Sequence, residues 1–215
     1  MKSLPACLAF LVWGLMVIGA GCQSEEKPAA PAAPQRTEVV IFNPSPPPVI
    51  EDNGRCWTDS VAVNRPGVWR CMRENMIFDP CFAIAHEPQR VICGADPTKG
   101  ERGFVLKLTE PLPAQLPLAD RSARPWLIEL ADGSICSAAT GTMAAIEGES
   151  VRYPCTGPKL DTGGKELVYT GLLGTMYPGK LWTADQVWFT VEPNEEGLPY
   201  KLTKRQTVAI RRVWE

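Results

Sequence analysis

Six cysteines between residues 56 and 155 constrain this chain more than any other feature: Cys56, Cys71, Cys81, Cys93, Cys136 and Cys155. No Cys-x-x-Cys pair occurs among them and the chain has a single histidine, so no metal site is expected. What they become depends on the compartment, and the N-terminus speaks to that. Lys2 is followed by a stretch without charge from Ser3 to Gly21, with an apolar run from Leu8 to Ile18 broken only by Gly14. Small residues Gly19-Ala20-Gly21 close it, and Cys22 follows. That is the tripartite pattern of a secretory signal. An exported chain meets an oxidising environment, where six cysteines form three disulfides.

The run ending Ala20-Gly21-Cys22 resembles the bacterial lipoprotein signal, although Gly19 stands where leucine is usual. The resemblance implies a signal peptide over 1–21 and a diacylglycerol group, with its palmitate, on Cys22. It implies a cell-membrane location, lipid-anchored at the extracytoplasmic face, periplasmic or extracellular. Cysteine parity agrees: Cys7 leaves with the signal, six cysteines pair, and Cys22 is left over. Two other readings of the same stretch are an uncleaved transmembrane anchor and an ordinary signal cut near Ala20. All three place the remainder on one side of the membrane.

Residues 22–52 read as a tether. Pro28, Pro31 and Pro34 alternate with alanines, and Pro44, Pro46, Pro47 and Pro48 close the segment. Such a composition builds no core and favours an extended spacer, reaching on the order of 90 Å. Thr37–Phe42 is the exception, with strand character suited to docking on a domain edge. Residues 53–215 are then one domain, long enough for a real core. The formal net charge is −2, without a large basic block, so nucleic acid is not an expected partner.

Within the domain, Pro66 to Glu74 reads as a short helix, with Val68, Trp69 and Met72 at helical spacing. Cys81–Ala85 and Gln89–Cys93 read as a hairpin across His86-Glu87-Pro88, which sets Cys81 opposite Cys93. The preferred bridges are therefore Cys81–Cys93 and Cys56–Cys71. Cys71–Cys81 with Cys56–Cys93 remains the rival set, because sequence alone does not settle connectivity. Cys136–Cys155 follows by elimination and proximity. Further on, Asp132-Gly133 is a strong hairpin signal, suited to a type I′ turn. Val187, Phe189 and Val191 alternate with Trp188 and Thr190. Turn signals at short intervals make this a mainly β domain, an antiparallel barrel or sandwich with one short helix, stapled by three disulfides. The segments Cys56-Trp57-Thr58, Trp69–Met72, Asp79–Phe82, Trp126–Cys136 and Tyr153–Cys155 resemble those of exported bacterial disulfide domains, a resemblance that brings no activity with it.

Catalytic signals are thin, and no catalytic residue and no cofactor are assigned. Asp161-Thr162-Gly163 matches the triplet of aspartic proteases, but only one copy exists and it sits among turn residues. His86, the only histidine, falls in a predicted hairpin loop. Asp79, Glu87, Asp96 and Glu110 are carboxylates of the kind any domain this size scatters. Trp188 is the candidate binding surface, because its strand neighbours claim the inner face and an outward indole makes a platform for sugar or protein. The leading expectation is a non-catalytic envelope domain, not an enzyme, binding an envelope protein or a cell-wall glycan. Two alternatives stand beside it. One is an inhibitor of cell-wall hydrolases: anchored β-barrel lysozyme inhibitors carry a Tyr-x-Cys strand like Tyr153–Cys155, though their Ser-Gly-x-x-Tyr motif is absent here. The other is an envelope hydrolase with a dispersed active site.

Overall fold

The computed structural model describes residues 34–48, 50–115, 124–157, 159–160, 163–164, 166–192 and 200–215. The expected signal peptide, Cys22, the spacer up to residue 33, and Asp161 and Thr162 lie outside the described residues. Within them every regular element is a strand, beginning with β1 (Glu38–Val40).

The next five strands are β2 (Ile50–Asp59), β3 (Val68–Arg73), β4 (Met76–Ile84), β5 (Glu87–Cys93) and β6 (Phe104–Leu108). Each pairs antiparallel with the next. Five alternating strands leave the first and last pointing the same way, so this sheet can close only through a parallel pair. It does so: β2 pairs parallel with β6, from Ile50↔Val105 to Gly54↔Leu108, and a closed barrel results. Its interior holds Cys56, Trp69, Cys71, Cys81, Val91, Cys93, Leu106 and Leu108. Two disulfides thus form the centre of the core: Cys56–Cys71 and Cys81–Cys93. The Sγ atoms of Cys71, Cys81 and Cys93 lie within 4.8 Å of one another, so the two bridges pack against each other. In both bridges the half-cystines are direct cross-strand partners, as the hairpin count predicts for Cys81 and Cys93.

The helix expected over Pro66–Glu74 is a strand instead. Gly67 takes φ 76°, a left-handed value that ends any helical turn, and β3 follows at once. The helical spacing reflects burial on both faces of β3: Val68 packs between the two sheets, while Trp69 and Cys71, two residues apart, point into the barrel. Ser60–Val63, between β2 and β3, is a loop. The Ser60 hydroxyl accepts the backbone N–H groups of Ala62 and Val63, giving them partners without a ladder.

The second half contains β7 (Leu127–Leu130), β8 (Ile135–Ser137), β9 (Ala145–Ile146), β10 (Glu149–Pro154), β11 (Lys159–Leu160), β12 (Leu167–Tyr177), β13 (Thr183–Val191) and β14 (Tyr200–Trp214). Their order across the sheet is β8-β7-β14-β13-β12-β10-β9, with β11 on β12. This sheet curls until its ends meet. Cys136 of β8 and Cys155 just after β10 face each other across an antiparallel bridge and are joined as the third disulfide. Beside them Thr156 N–H donates to Ile135 C=O at 2.9 Å and Ala139 N–H to Arg152 C=O at 2.8 Å. Ile128, Leu130, Cys136, Tyr153, Leu172, Ala184, Ile210 and Val213 fill the space inside.

One expected turn type is found elsewhere in the second half. At Asp132-Gly133 only Gly133 has positive φ, so the connection is a longer loop, not type I′. Glu147-Gly148, with φ 51° and 83°, is the two-residue connection with both central residues left-handed.

Between the two curled sheets Val68 and Phe82 pack against Trp126, Leu127 and Trp214, with Val40 and Phe42 alongside. Those last two belong to the expected tether, and the domain begins upstream of residue 53. β1 pairs parallel with the end of β14. Phe42 N–H bonds the carbonyl of Glu215, and Arg65 binds the Phe42 carbonyl. The apolar side chains of 40 and 42 gain more by filling this crevice than a spacer would by staying in water.

Candidate functional site

Regular alternation along β13 puts Ala184, Gln186, Trp188 and Thr190 on one face. Ala184 belongs to the interior of the second sheet, so Trp188 stands where that interior face runs out past the end of β7. On the other face Val187 and Phe189 pack in a separate cluster with Ile146, Val151 and Leu173. Trp188 is half-buried in a cleft of about 390 Å³, a size typical of small-molecule sites. Leu130 at the end of β7 and Ala131 and Asp132 of the loop after it form one wall; Gln186, Lys204, Gln206 and Val208 line the sheet side.

Register explains the arrangement. Thr170, Trp188 and Lys204 are direct partners across β12, β13 and β14, and Leu172, Gln186 and Gln206 form the next row. β14 bulges opposite this point, with Thr203 as the extra residue between the Trp188–Lys204 and Phe189–Leu202 pairs, and Thr203 Oγ1 donates to the Trp188 carbonyl at 3.0 Å. Bulges re-aim side chains. Here the Lys204 ammonium lies 4.4 Å from the Trp188 ring centroid. Asp132 Oδ1 accepts the Ser134 N–H at 2.9 Å, which holds the loop wall. The site thus combines an aromatic face, two carboxamides, one ammonium and one carboxylate.

The other residues singled out in the sequence are dispersed. His86 is exposed at the β4–β5 turn, in the left-handed region at φ 64°. Glu87 pairs with Arg90. Gly163 and Gly164 form a turn, as expected, and Glu110 is exposed. Tyr153, of the Tyr-x-Cys strand, is buried in the second core, which pushes its phenol up to about 12. It is not presented to a partner.

A second cleft, about 350 Å³, has Asp79, Asp96, Glu101 and Trp126 in its lining. Asp79 and Asp96 are shifted in opposite directions, the pattern of an acid and base pair. Both are engaged by their own fold, however. Asp79 accepts from the Ser60 hydroxyl and the Val61 N–H and lies 3.5 Å from Arg70. Asp96 Oδ1 accepts from Thr98 N–H and hydroxyl, and its Oδ2 faces Lys99 at 3.1 Å.

Burial raises the Asp79 pKa above its ordinary 3.8, against the Ser60, Val61 and Arg70 interactions that lower it. Its folded-state pKa being the higher, the protonated form favours folding, and that contribution fades as pH rises from about 3.8 through the raised value. Asp79→Asn removes this slope. The unfolding free energy of the variant relative to the native protein is expected to rise with pH over that window in urea titrations. A difference that is flat with pH would contradict the shift.

No protein-family model matches the chain, and neither does any curated protein or solved structure.

Proposed function

We propose that the protein is a lipid-anchored, non-catalytic module of the cell envelope that binds a cell-wall glycan at the Trp188 cleft. The observation that carries this is the concave row of Thr170, Trp188 and Lys204 above Leu172, Gln186 and Gln206. An indole face stacks on the C–H face of a sugar ring, and carboxamides and a carboxylate in the cleft lining match its hydroxyls. Three disulfides fit an oxidising, extracytoplasmic compartment.

The test is capture from cross-linked envelope extract by the intact protein, compared with Trp188→Ala. Wall glycan is expected to be enriched by the native protein and reduced by about tenfold in the variant, in line with the 1–2 kcal/mol carried by a stacked aromatic at a binding centre. A protein captured in place of glycan, or equal capture by both forms, would overturn the reading. Anchoring has its own test. Cys22→Ser is expected to move the protein from the detergent phase to the aqueous phase in a phase-separation assay and to abolish palmitate labelling. Retention in the detergent phase would instead indicate an uncleaved membrane segment.

A further inference from the structure

β14 carries five basic residues, and four of them are neutralised. Lys201 pairs with Glu192, Arg205 with Glu149 and Asp185, Arg211 with Glu129, and Arg212 with Glu38 and Glu129. Lys204 has no carboxylate partner among the described residues; its ammonium rests on the Trp188 ring. Across the cleft Asp132 carries the opposite sign, and its Oδ1 is committed to the Ser134 N–H.

This placement has a consequence for any ligand. The ammonium occupies the indole face that a sugar would stack on. A neutral sugar must displace it and returns nothing to the charge. A sugar bearing a carboxylate takes the face with its ring and receives the ammonium as a charge-assisted donor, the stronger class of hydrogen bond. Resting on the glycan reading above, we infer that the Trp188 cleft selects saccharides bearing a carboxylate, with Lys204 as the residue that reads the charge. Gln186 and Gln206, neighbours in the adjacent row, are placed for the hydroxyl or acetamido groups of the same ring.

Two sources supply such a ligand, a lactyl-ether amino sugar of the wall and a uronic acid of an envelope polysaccharide, and the test separates them. The intact protein in detergent, at low ionic strength, is titrated calorimetrically with two matched pairs. The first is a disaccharide of N-acetylglucosamine and N-acetylmuramic acid against di-N-acetylchitobiose; the second is cellobiouronic acid against cellobiose. Lys204→Met and Trp188→Phe are titrated alongside, with circular dichroism to verify folding.

The acidic member of at least one pair is expected to bind about tenfold more tightly, the scale of one charge-assisted contact. That advantage is expected to vanish in Lys204→Met and to persist in Trp188→Phe. Preference confined to the first pair assigns the wall sugar; preference in both pairs assigns the carboxylate alone. Equal binding of acidic and neutral members, or an advantage that survives Lys204→Met, overturns the selection by charge and leaves the glycan site standing. Absence of binding to all four saccharides overturns both.

Discussion

Replacing Cys136 and Cys155 together with alanine is expected to lower the unfolding free energy by about 3 kcal/mol, the chain-entropy value for a loop of this length. The bridge spans a sequence separation of 19 residues. It is also the covalent seam of the second sheet. Without it β8 meets the end of β10 through non-covalent contacts, among them the Thr156 and Ala139 hydrogen bonds. Cys136 is fully buried beside Ile128, Leu130 and Tyr153, so alanine is the right replacement; serine would add a buried hydroxyl. Denaturant titration measures the loss. Amide exchange localises it: Ala139 and Thr156 are expected to exchange faster, whereas the β2–β6 barrel keeps its protection. A loss below about 1 kcal/mol, with both amides still protected, would mean that the seam is held by packing.

Gly54→Ala is expected to cost about 3 kcal/mol or more and acts on the other closure. A Cβ at position 54 would stand 2.4 Å from the Met72 carbonyl oxygen and 2.8 and 2.9 Å from the two Leu106 methyl carbons. The Leu106 side chain lies in the barrel core, and the Met72 oxygen is backbone, so neither has free room to yield. β2 itself has little freedom to retreat. Gly54 pairs with Leu108 across the parallel closure, its carbonyl accepts the Thr109 N–H at 2.8 Å, and Cys56 is tied to Cys71 two residues on. Gly141→Ala is the control, since a Cβ there meets nothing within 4 Å. It is expected to change stability by less than about 0.5 kcal/mol. Equal midpoints for the two variants would show that β2 shifts freely and that the barrel closure is loose.

Local pairing was legible in the sequence wherever one short turn determines it. Counting outward from the expected loop His86-Glu87-Pro88 places Cys81 opposite Cys93, and the structure pairs them so, although the turn itself is Ala85-His86, with Glu87 opposite Ile84 and a register shift between Ala83 and Ile84 restoring the count. The alternation of Val187, Phe189 and Val191 separates them from Trp188 without reference to anything distant. The Pro66–Glu74 helix failed for the converse reason. Val68 and Trp69 are neighbours that are both buried because β3 is covered on both faces, and neither cover is visible in its own spacing. The β1 strand was half visible: Thr37–Phe42 has strand character, but that it runs parallel to the chain's last residues needs both ends of the chain at once.

The candidate site divides in the same way. Trp188 could be picked from its strand, because period-two alternation is a property of a few consecutive residues. Lys204, Gln206 and Asp132 could not. They come from another strand and a loop, and only the β13–β14 register and the curl of the sheet bring them to one cleft. Nor could the sequence show that Lys204 is the one cation of β14 without a carboxylate among the described residues. By itself the sequence determined the mainly β class and favoured the neighbouring disulfide partners, since these rest on backbone alternation and short loops. The two closures, the seat of β1 and the charge left open over Trp188 were decided by the tertiary structure alone. Each depends on residues distant in sequence whose approach is set by sheet curvature and core packing.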